Sequence, residues 1–201
     1  MSKLRIILAG VGGQGTLTAT NLLALMALDK NIPVTSGEIH GMAQRGGVVE
    51  STLLFGGYLS PRISVAEADI LLGFEPMETL RALPYLKPGG LVISNTEPTL
   101  PVAVNLGKET YPSQETIQDR VARCASEIHF IPCKTLGLKA GTVQSANLVL
   151  LGGYCSTQAG PFNLDDLKAG IAAHLPQKIV SINLQAVELG RLALEESLQE
   201  H

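Results

Sequence analysis

The sequence contains no tryptophan, and its four tyrosines and four phenylalanines make aromatic residues only 4% of 201. No aromatic wall for a flavin or nicotinamide ring is evident. Cysteine is scarce as well: three residues are an odd number and too few for a disulfide framework. Charged residues are 16%, and 18 Asp+Glu against 15 Lys+Arg leave a formal net charge of -3. A basic stripe that would neutralise nucleic-acid phosphates is missing, so no nucleic-acid partner is expected. No apolar stretch approaches the roughly 18–20 residues that span a bilayer. The longest candidate, Leu148 to Leu151 with its flanks, is broken by Gly152 and Gly153. Met1 to Arg5 leads into a short run, Ile6 to Ala9, and then a glycine cluster, which reads as a strand and its turn rather than a leader. The expectation is a soluble, cytoplasmic protein with no membrane partner. Apolar residues, at 45%, are too many for a disordered chain and enough for one core.

The chain alternates strand and helix. Leu4 to Ala9 is a continuous apolar run apart from Arg5, as in a strand covered on both faces. Gln14 to Leu28 reads as a largely buried helix, and Pro33 to Glu38 as a second strand. Together they form a βαβ unit with parallel strands. Gly47 to Phe55 is strand-like, and Gly56-Gly57 followed by Tyr58 to Ile63 suggests a hairpin. Ala68 to Phe74 and Gly90 to Asn95 read as buried strands, with a helix from Pro76 to Leu83 between them and a turn at Lys87 to Gly90. Thr96 to Pro112 reads as an irregular connection, Ser113 to Ala125 as a helix with Cys124 on its apolar face, and Ile128 to Ile131 as a strand with His129 partly exposed. Ser145 to Thr157 looks like a helix interrupted by Gly152-Gly153. Asn163 caps a helix carrying Asp165 and Asp166 in its first turn and ending at His174, both suited to the helix dipole. Ile179 to Leu198 is a long terminal helix. The fold class is α/β: a single three-layer α/β/α domain over residues 1–201 with a Rossmann-like mixed sheet, mostly parallel with an antiparallel hairpin, and a helical C-terminal third.

Two motifs carry the chemistry. Gly10-Val11-Gly12-Gly13-Gln14-Gly15 follows a strand and opens a helix, so it fits G-x-G-x-x-G. Glycines allow close backbone approach, and a helix N-terminus presents unpaired N–H groups with positive partial charge. Thr16 adds a hydroxyl. Three readings stand: a tight turn alone, an anion such as an acyl-carrier phosphate, or a dinucleotide whose ribose 2′-OH is held by Glu38. The doubled glycine and Gln14 make an unusual interior for a dinucleotide turn. The second motif, Gly37-Glu38-Ile39-His40-Gly41-Met42-Ala43-Gln44-Arg45-Gly46-Gly47, places Glu38, His40, Gln44 and Arg45 where strand ends meet loops.

With these two motifs, Asn147-Leu148-Val149-Leu150-Leu151-Gly152 and Asn183-Leu184-Gln185-Ala186-Val187-Glu188-Leu189-Gly190 complete a set in order along the chain. The set resembles the γ subunit or γ domain of 2-oxoacid:ferredoxin oxidoreductases, and the His40 to Gly47 wording is similar to the β subunit of the indolepyruvate branch. The resemblance implies oxidative decarboxylation of a 2-oxoacid, here an aryl pyruvate, to an acyl-CoA with electrons passed to ferredoxin. It also implies that thiamine diphosphate, Mg and the iron–sulfur clusters sit on a larger α-type partner subunit, with ferredoxin engaged through the complex. No metal ligand set is expected on this chain, since Cys124, Cys133 and Cys155 lack the close spacing that ligates a cluster.

On that resemblance, His40, Arg45 and Glu38 are the candidate catalytic residues. Gly10, Gly12, Gly13, Gln14, Gly15, Thr16, Gly46 and Gly47 are candidates for binding a shared ligand, coenzyme A. Arg45 would pair with a carboxylate or phosphate through its planar fork, and His40 would orient or shuttle a proton near neutral pH. The plainer readings are an Arg45–Glu38 ion pair shaping the loop and a structural His40. Asn147 and Asn183 read as buried hydrogen-bonding or capping positions. Two other functions compete: a stand-alone dinucleotide-binding oxidoreductase, and a non-catalytic assembly module of the same complex. An exposed partner-binding surface also allows a homodimer of the free chain.

Overall fold

A computed structural model describes residues 3–40 and 47–199, with the side chains of His40, Val102 and Ala103 outside the description. Strand β1 (Leu4–Val11) leads through the glycine turn into helix α1 (Thr16–Asp29), and β2 (Val34–His40) and β3 (Val48–Phe55) follow. Next come β4 (Ala68–Gly73), α2 (Pro76–Ala82), a 3-10 turn (Leu83–Tyr85), β5 (Leu86–Asn95) and the short α3 (Val102–Asn105). Helix α4 (Gln114–Ala122), β6 (Ala125–Ile131) and α5 (Cys133–Ala140) precede α6 (Ala146–Ser156), α7 (Leu164–His174) and α8 (Gln177–Gln199).

The strands form one six-stranded sheet in the order β2-β3-β1-β4-β5-β6. The β1–β4, β4–β5 and β5–β6 pairs are parallel, whereas β3 runs antiparallel to both β1 and β2. Side chains alternate faces along a strand, and this divides the core in two. Ile6 and Leu8 join α1, α6, α7 and α8 in the larger layer, while Ile7 and Ala9 face α2 and α4 in the smaller one. Burying each such branched side chain contributes about 1.5–3 kcal/mol. Phe55 and Phe162 meet edge to face in the larger layer, with ring centroids 5.7 Å apart.

The three-layer α/β arrangement matches the sequence reading, and several local expectations are corrected. β1 and β2 run in the same direction, but β3 lies between them, so the expected βαβ pair is not adjacent. Tyr58 to Ile63 is no strand. Pro61 offers no N–H to a ladder, and the segment is tied instead by side-chain hydroxyls, Thr35 Oγ1 donating to Tyr58 O and Thr52 Oγ1 to Pro61 O. Lys87 to Gly90 belongs to β5, which absorbs its glycines as a register shift between Gly90 and Leu91. Within the connection from Thr96 to Pro112, α3 forms, and α5 was not legible at all. Helix α6 runs without interruption through Gly152 and Gly153.

His129 is buried because α8 crosses β6: its Nδ1 lies 3.3 Å from Ser197 Oγ and its Nε2 3.0 Å from Glu127 Oε1. His174 meets Asp29 Oδ2 at 2.6 Å. Cys124 is exposed, because α4 stops at Ala122 so that β6 can begin at Ala125. Burial raises the thiols of Cys133 and Cys155 above the ordinary range. Iodoacetamide at neutral pH is therefore expected to label Cys124 alone in the folded protein and all three cysteines in urea. A second carbamidomethyl group on the folded protein, read by intact mass, would contradict this packing.

Candidate functional site

The chain turns from one face of the sheet to the other between β1 and β4. After β1, α1 packs on the larger layer; after β4, α2 packs on the smaller. Ligands of open α/β sheets bind at such a switch, outside the carboxyl ends of the strands. A cleft of about 280 Å³ lies there, lined by Val11, Gly12, Gly13 and Gln14 after β1, Phe74 after β4, and Asn95 and Thr99 after β5. Cys133 and Lys134 of α5 and the start of α6 close its other side.

The glycine turn is shaped by local need. Gly15 has φ +79°, a left-handed conformation that costs other residues about 1–2 kcal/mol, and a Cβ there would stand 2.5 Å from Asn147 Nδ2. Asn147 instead donates to Gly15 O at 3.3 Å, and within the first turn of α6 its Oδ1 accepts from Leu148 N at 2.9 Å. Asn183 is buried too and accepts from Ser145 Oγ at 2.8 Å. Both asparagines are hydrogen-bonding positions, and Asn147 also lines the cleft.

Two of the turn's N–H groups bond to backbone carbonyls: Gln14 donates to Val11 O at 3.2 Å and Gly12 to Gly47 O at 2.9 Å. The second bond joins the two glycine-rich motifs at one edge of the sheet. Gln14 folds back so that its Oε1 accepts from Val11 N at 2.9 Å, and its Nε2 reaches Thr99 Oγ1 at 3.1 Å. Thr16 Oγ1 is buried without a partner, 2.8 Å from the place a Gly10 Cβ would take.

Glu38 is exposed on β2 and is not among the cleft's lining residues. In a dinucleotide fold the ribose-binding acid stands on the strand beside β1; here that place belongs to β3. The side chain of His40, and Met42, Arg45 and Gly46, lie outside the described residues.

Sequence reasoning missed Asn95, Thr99 and Lys134. Asn95 knits three chain segments: its Nδ2 donates to Phe74 O and Glu97 O, and its Oδ1 accepts from Glu97 N and Cys133 N. Lys134 Nζ donates to Pro98 O and to Thr99 Oγ1. Burial lowers the Lys134 ammonium below the usual lysine range, against the pull of Glu97 and Glu75. None of the three lies in a glycine motif, so only the proline-rich surroundings of Thr99 marked this stretch in the sequence. Among the described residues, no three His, Cys, Asp or Glu side chains converge as metal ligands. No helix among them is long and apolar enough to cross a membrane.

The profile of the pyruvate ferredoxin/flavodoxin oxidoreductase family matches residues 5–193. The indolepyruvate oxidoreductase subunit IorB of Pyrococcus horikoshii is 40% identical over 98% of this chain and 99% of its own. The IorB subunit of Archaeoglobus fulgidus is 34% identical over 94% of each. Among solved structures, pyruvate oxidoreductase subunit PORC of Thermotoga maritima superposes with a TM-score of 0.72 at 18% identity, covering 96% of this chain and 97% of that one. A 2-oxoglutarate:ferredoxin oxidoreductase of Magnetococcus marinus, with 2-oxoglutarate, coenzyme A and succinyl-CoA bound, superposes at 0.68 and 16% identity, covering 98% of this chain and 32% of that one. At these identities the two structures speak for the fold, which they share. With nearly its whole length matched by the family profile and by relatives up to 40% identical, the chain belongs to the pyruvate ferredoxin/flavodoxin oxidoreductase family.

Proposed function

We propose that this chain is the smaller subunit of an indolepyruvate:ferredoxin oxidoreductase, one γ-type domain that works in the cytoplasm beside a larger α-type subunit. The end-to-end match to IorB subunits carries this reading. Thiamine diphosphate with Mg, held by the larger subunit, would supply the stabilised carbanion, and iron–sulfur clusters there would take its electrons to ferredoxin.

Its own part is to bind and orient. The cleft at the switch point would hold a phosphate of coenzyme A against Gly13 and Gln14 of its lining, with the N-terminus of α1 behind them. Gly12 serves differently, by fastening the first glycine motif to Gly47 of the second. That tie, made through Gly47, supports a shared role for the second motif, to which His40, Arg45 and Gly46 belong in sequence. Arg45 would face an anionic group and His40 would hold or move a proton. The distance of Glu38 from the cleft favours a role in shaping that motif.

Coexpression with the larger subunit tests this reading. The isolated chain is expected to be inactive, and the complex to reduce ferredoxin with indolepyruvate only when coenzyme A is present. Arg45→Ala in the complex is expected to raise the KM for coenzyme A about tenfold, the worth of one charged hydrogen bond. Saturable nucleotide-dependent turnover by the isolated chain would sink the proposal. Variants that weaken assembly but leave turnover per complex intact would assign the motif to the interface alone.

A further inference from the structure

Three helices begin at the cleft: α1 behind the glycine turn, α5 at Cys133 and α6 at Ala146. Each N-terminus carries about half a positive charge, which acidic residues in the first turn normally offset. Helices α2, α4 and α7 follow that rule with Glu78, Glu115 and the pair Asp165 and Asp166. Helices α1, α5 and α6 carry no acid in their first turns, a trait shared with α3 and α8, and α5 places Lys134 there. A cation at that end works against its own helix, as Lys178 does in α8, so the case for Lys134 rests on its place in the cleft lining.

The hydrogen-bond partners of Lys134 leave its charge unneutralised, although burial works against the charged form. Its two partners, Pro98 O and Thr99 Oγ1, are neutral oxygens, and an ammonium has three donors, so one N–H remains for a guest. The nearby carboxylate of Glu97 accepts from Thr135 N at 2.9 Å and Thr135 Oγ1 at 2.7 Å, and it attracts the ammonium through space, as Glu75 does. The Thr16 hydroxyl is 2% exposed and has no hydrogen-bond partner; it lies behind the glycine turn and is not itself part of the lining.

Thr99 is held from behind. Glu75, 1% exposed, accepts from Thr99 N at 3.1 Å and from Tyr111 OH at 2.6 Å through Oε1, and from Met77 N at 2.7 Å and Glu78 N at 3.1 Å through Oε2. The buried carboxylate thereby fixes the backbone whose side-chain oxygen takes both Gln14 Nε2 and Lys134 Nζ.

We propose that Lys134 is the cationic anchor for a phosphate group of the ligand in this cleft, and that Glu75 is its positioning residue, acting through Thr99. The proposal rests on the reading of the chain as a coenzyme-A-using subunit, and it adds the residues that would give the cleft its charge and geometry.

The test uses the assembled enzyme, with KM for coenzyme A, KM for indolepyruvate and kcat measured separately. Lys134→Ala is expected to raise the coenzyme A KM about tenfold or more, with a smaller effect on kcat and on the indolepyruvate KM, and Lys134→Arg to recover most of the loss. Thr99→Val and Glu75→Gln should move the same parameter in the same direction, with Thr99→Ser restoring it. Titration of the isolated full chain with inorganic pyrophosphate, followed by amide chemical shifts, reads the site even where a variant does not assemble. Wild type should shift the cleft residues, and Lys134→Ala should not. A coenzyme A KM within about twofold of wild type for Lys134→Ala, or pyrophosphate shifts that persist in it, overturns the proposal. A wild-type complex without coenzyme-A-dependent turnover would instead defeat the subunit reading, and pyrophosphate binding would then judge Lys134 alone.

Discussion

Gly190→Ala is expected to lower stability by about 3 kcal/mol, a fall of roughly 6–12 °C in melting temperature for a chain of this length. A Cβ at Gly190 would stand 1.9 Å from Val149 O, and one at Gly152 would stand 2.3 Å from Val187 O. Both obstacles are backbone atoms inside buried helices, so no side-chain rotation relieves them. The axes of α6 and α8 would have to separate, opening the larger core layer around Val149, Leu151 and Val187. The backbones touch because each helix presents a hydrogen where the other needs room. Ser181→Ala, at an exposed position of the same helix, should stay within about 0.5 kcal/mol. Thermal melts by circular dichroism measure both. A Gly190→Ala protein that melts within about 2 °C of wild type would show that the helices are not packed this closely.

Asn95→Ala is expected to cost about 3 kcal/mol as well, by a different route. Asn95 is 2% exposed and makes four hydrogen bonds, to Phe74 O, Glu97 O, Glu97 N and Cys133 N. Truncation strands the Cys133 N–H at the start of α5 and the Phe74 carbonyl at the end of β4, each away from water. Unpaired buried groups of this kind cost about 1–3 kcal/mol apiece. The same side chain ties the β5 exit to α5, and these two segments carry Thr99 and Lys134. The loss should therefore show twice: as a lower midpoint in urea and as weaker pyrophosphate binding at a temperature where the variant is still folded. A stability loss below about 1 kcal/mol would mean that water replaces the amide, and the role given to Asn95 would be wrong.

The two effects bear on what a sequence can reveal. The strands β1, β4 and β5 were legible because runs such as Leu4 to Ala9 are apolar on both faces, which only a doubly covered strand requires. Helix α7 was legible from its ends: Asn163 and Asp166 form a reciprocal capping box that local spacing alone dictates. The glycine turn and its place at the sheet's ligand edge followed from the same local rules. By contrast, Gly152-Gly153 carries the mark of a broken helix when read along the chain. Its meaning lies across the core, where the α8 backbone stands against Gly152 and Ile131 of β6 against Gly153.

Some of the site was hidden for the same reason. Gln14 and Thr99 stand 85 residues apart, and Cys133 N and Asn95 are 38 apart, so no spacing rule joins them. Lys134 drew no notice in the sequence, since nothing local indicates that its helix begins at a cleft.

By itself the sequence determined the alternation of strand and helix, the position of the glycine turn, the two motifs that mark the family and the scarcity of cluster ligands. Those features depend on periodicity, backbone freedom and residue chemistry, all of which are local. Tertiary structure alone decided that β3 lies between β1 and β2, which leaves Glu38 away from the cleft. It also decided that Cys124 is exposed and His129 covered, and that Lys134, Thr99 and Gln14 meet above the buried Glu75. Strand order, helix crossing and burial depend on contacts between segments distant in the chain, and such contacts leave no period in the sequence.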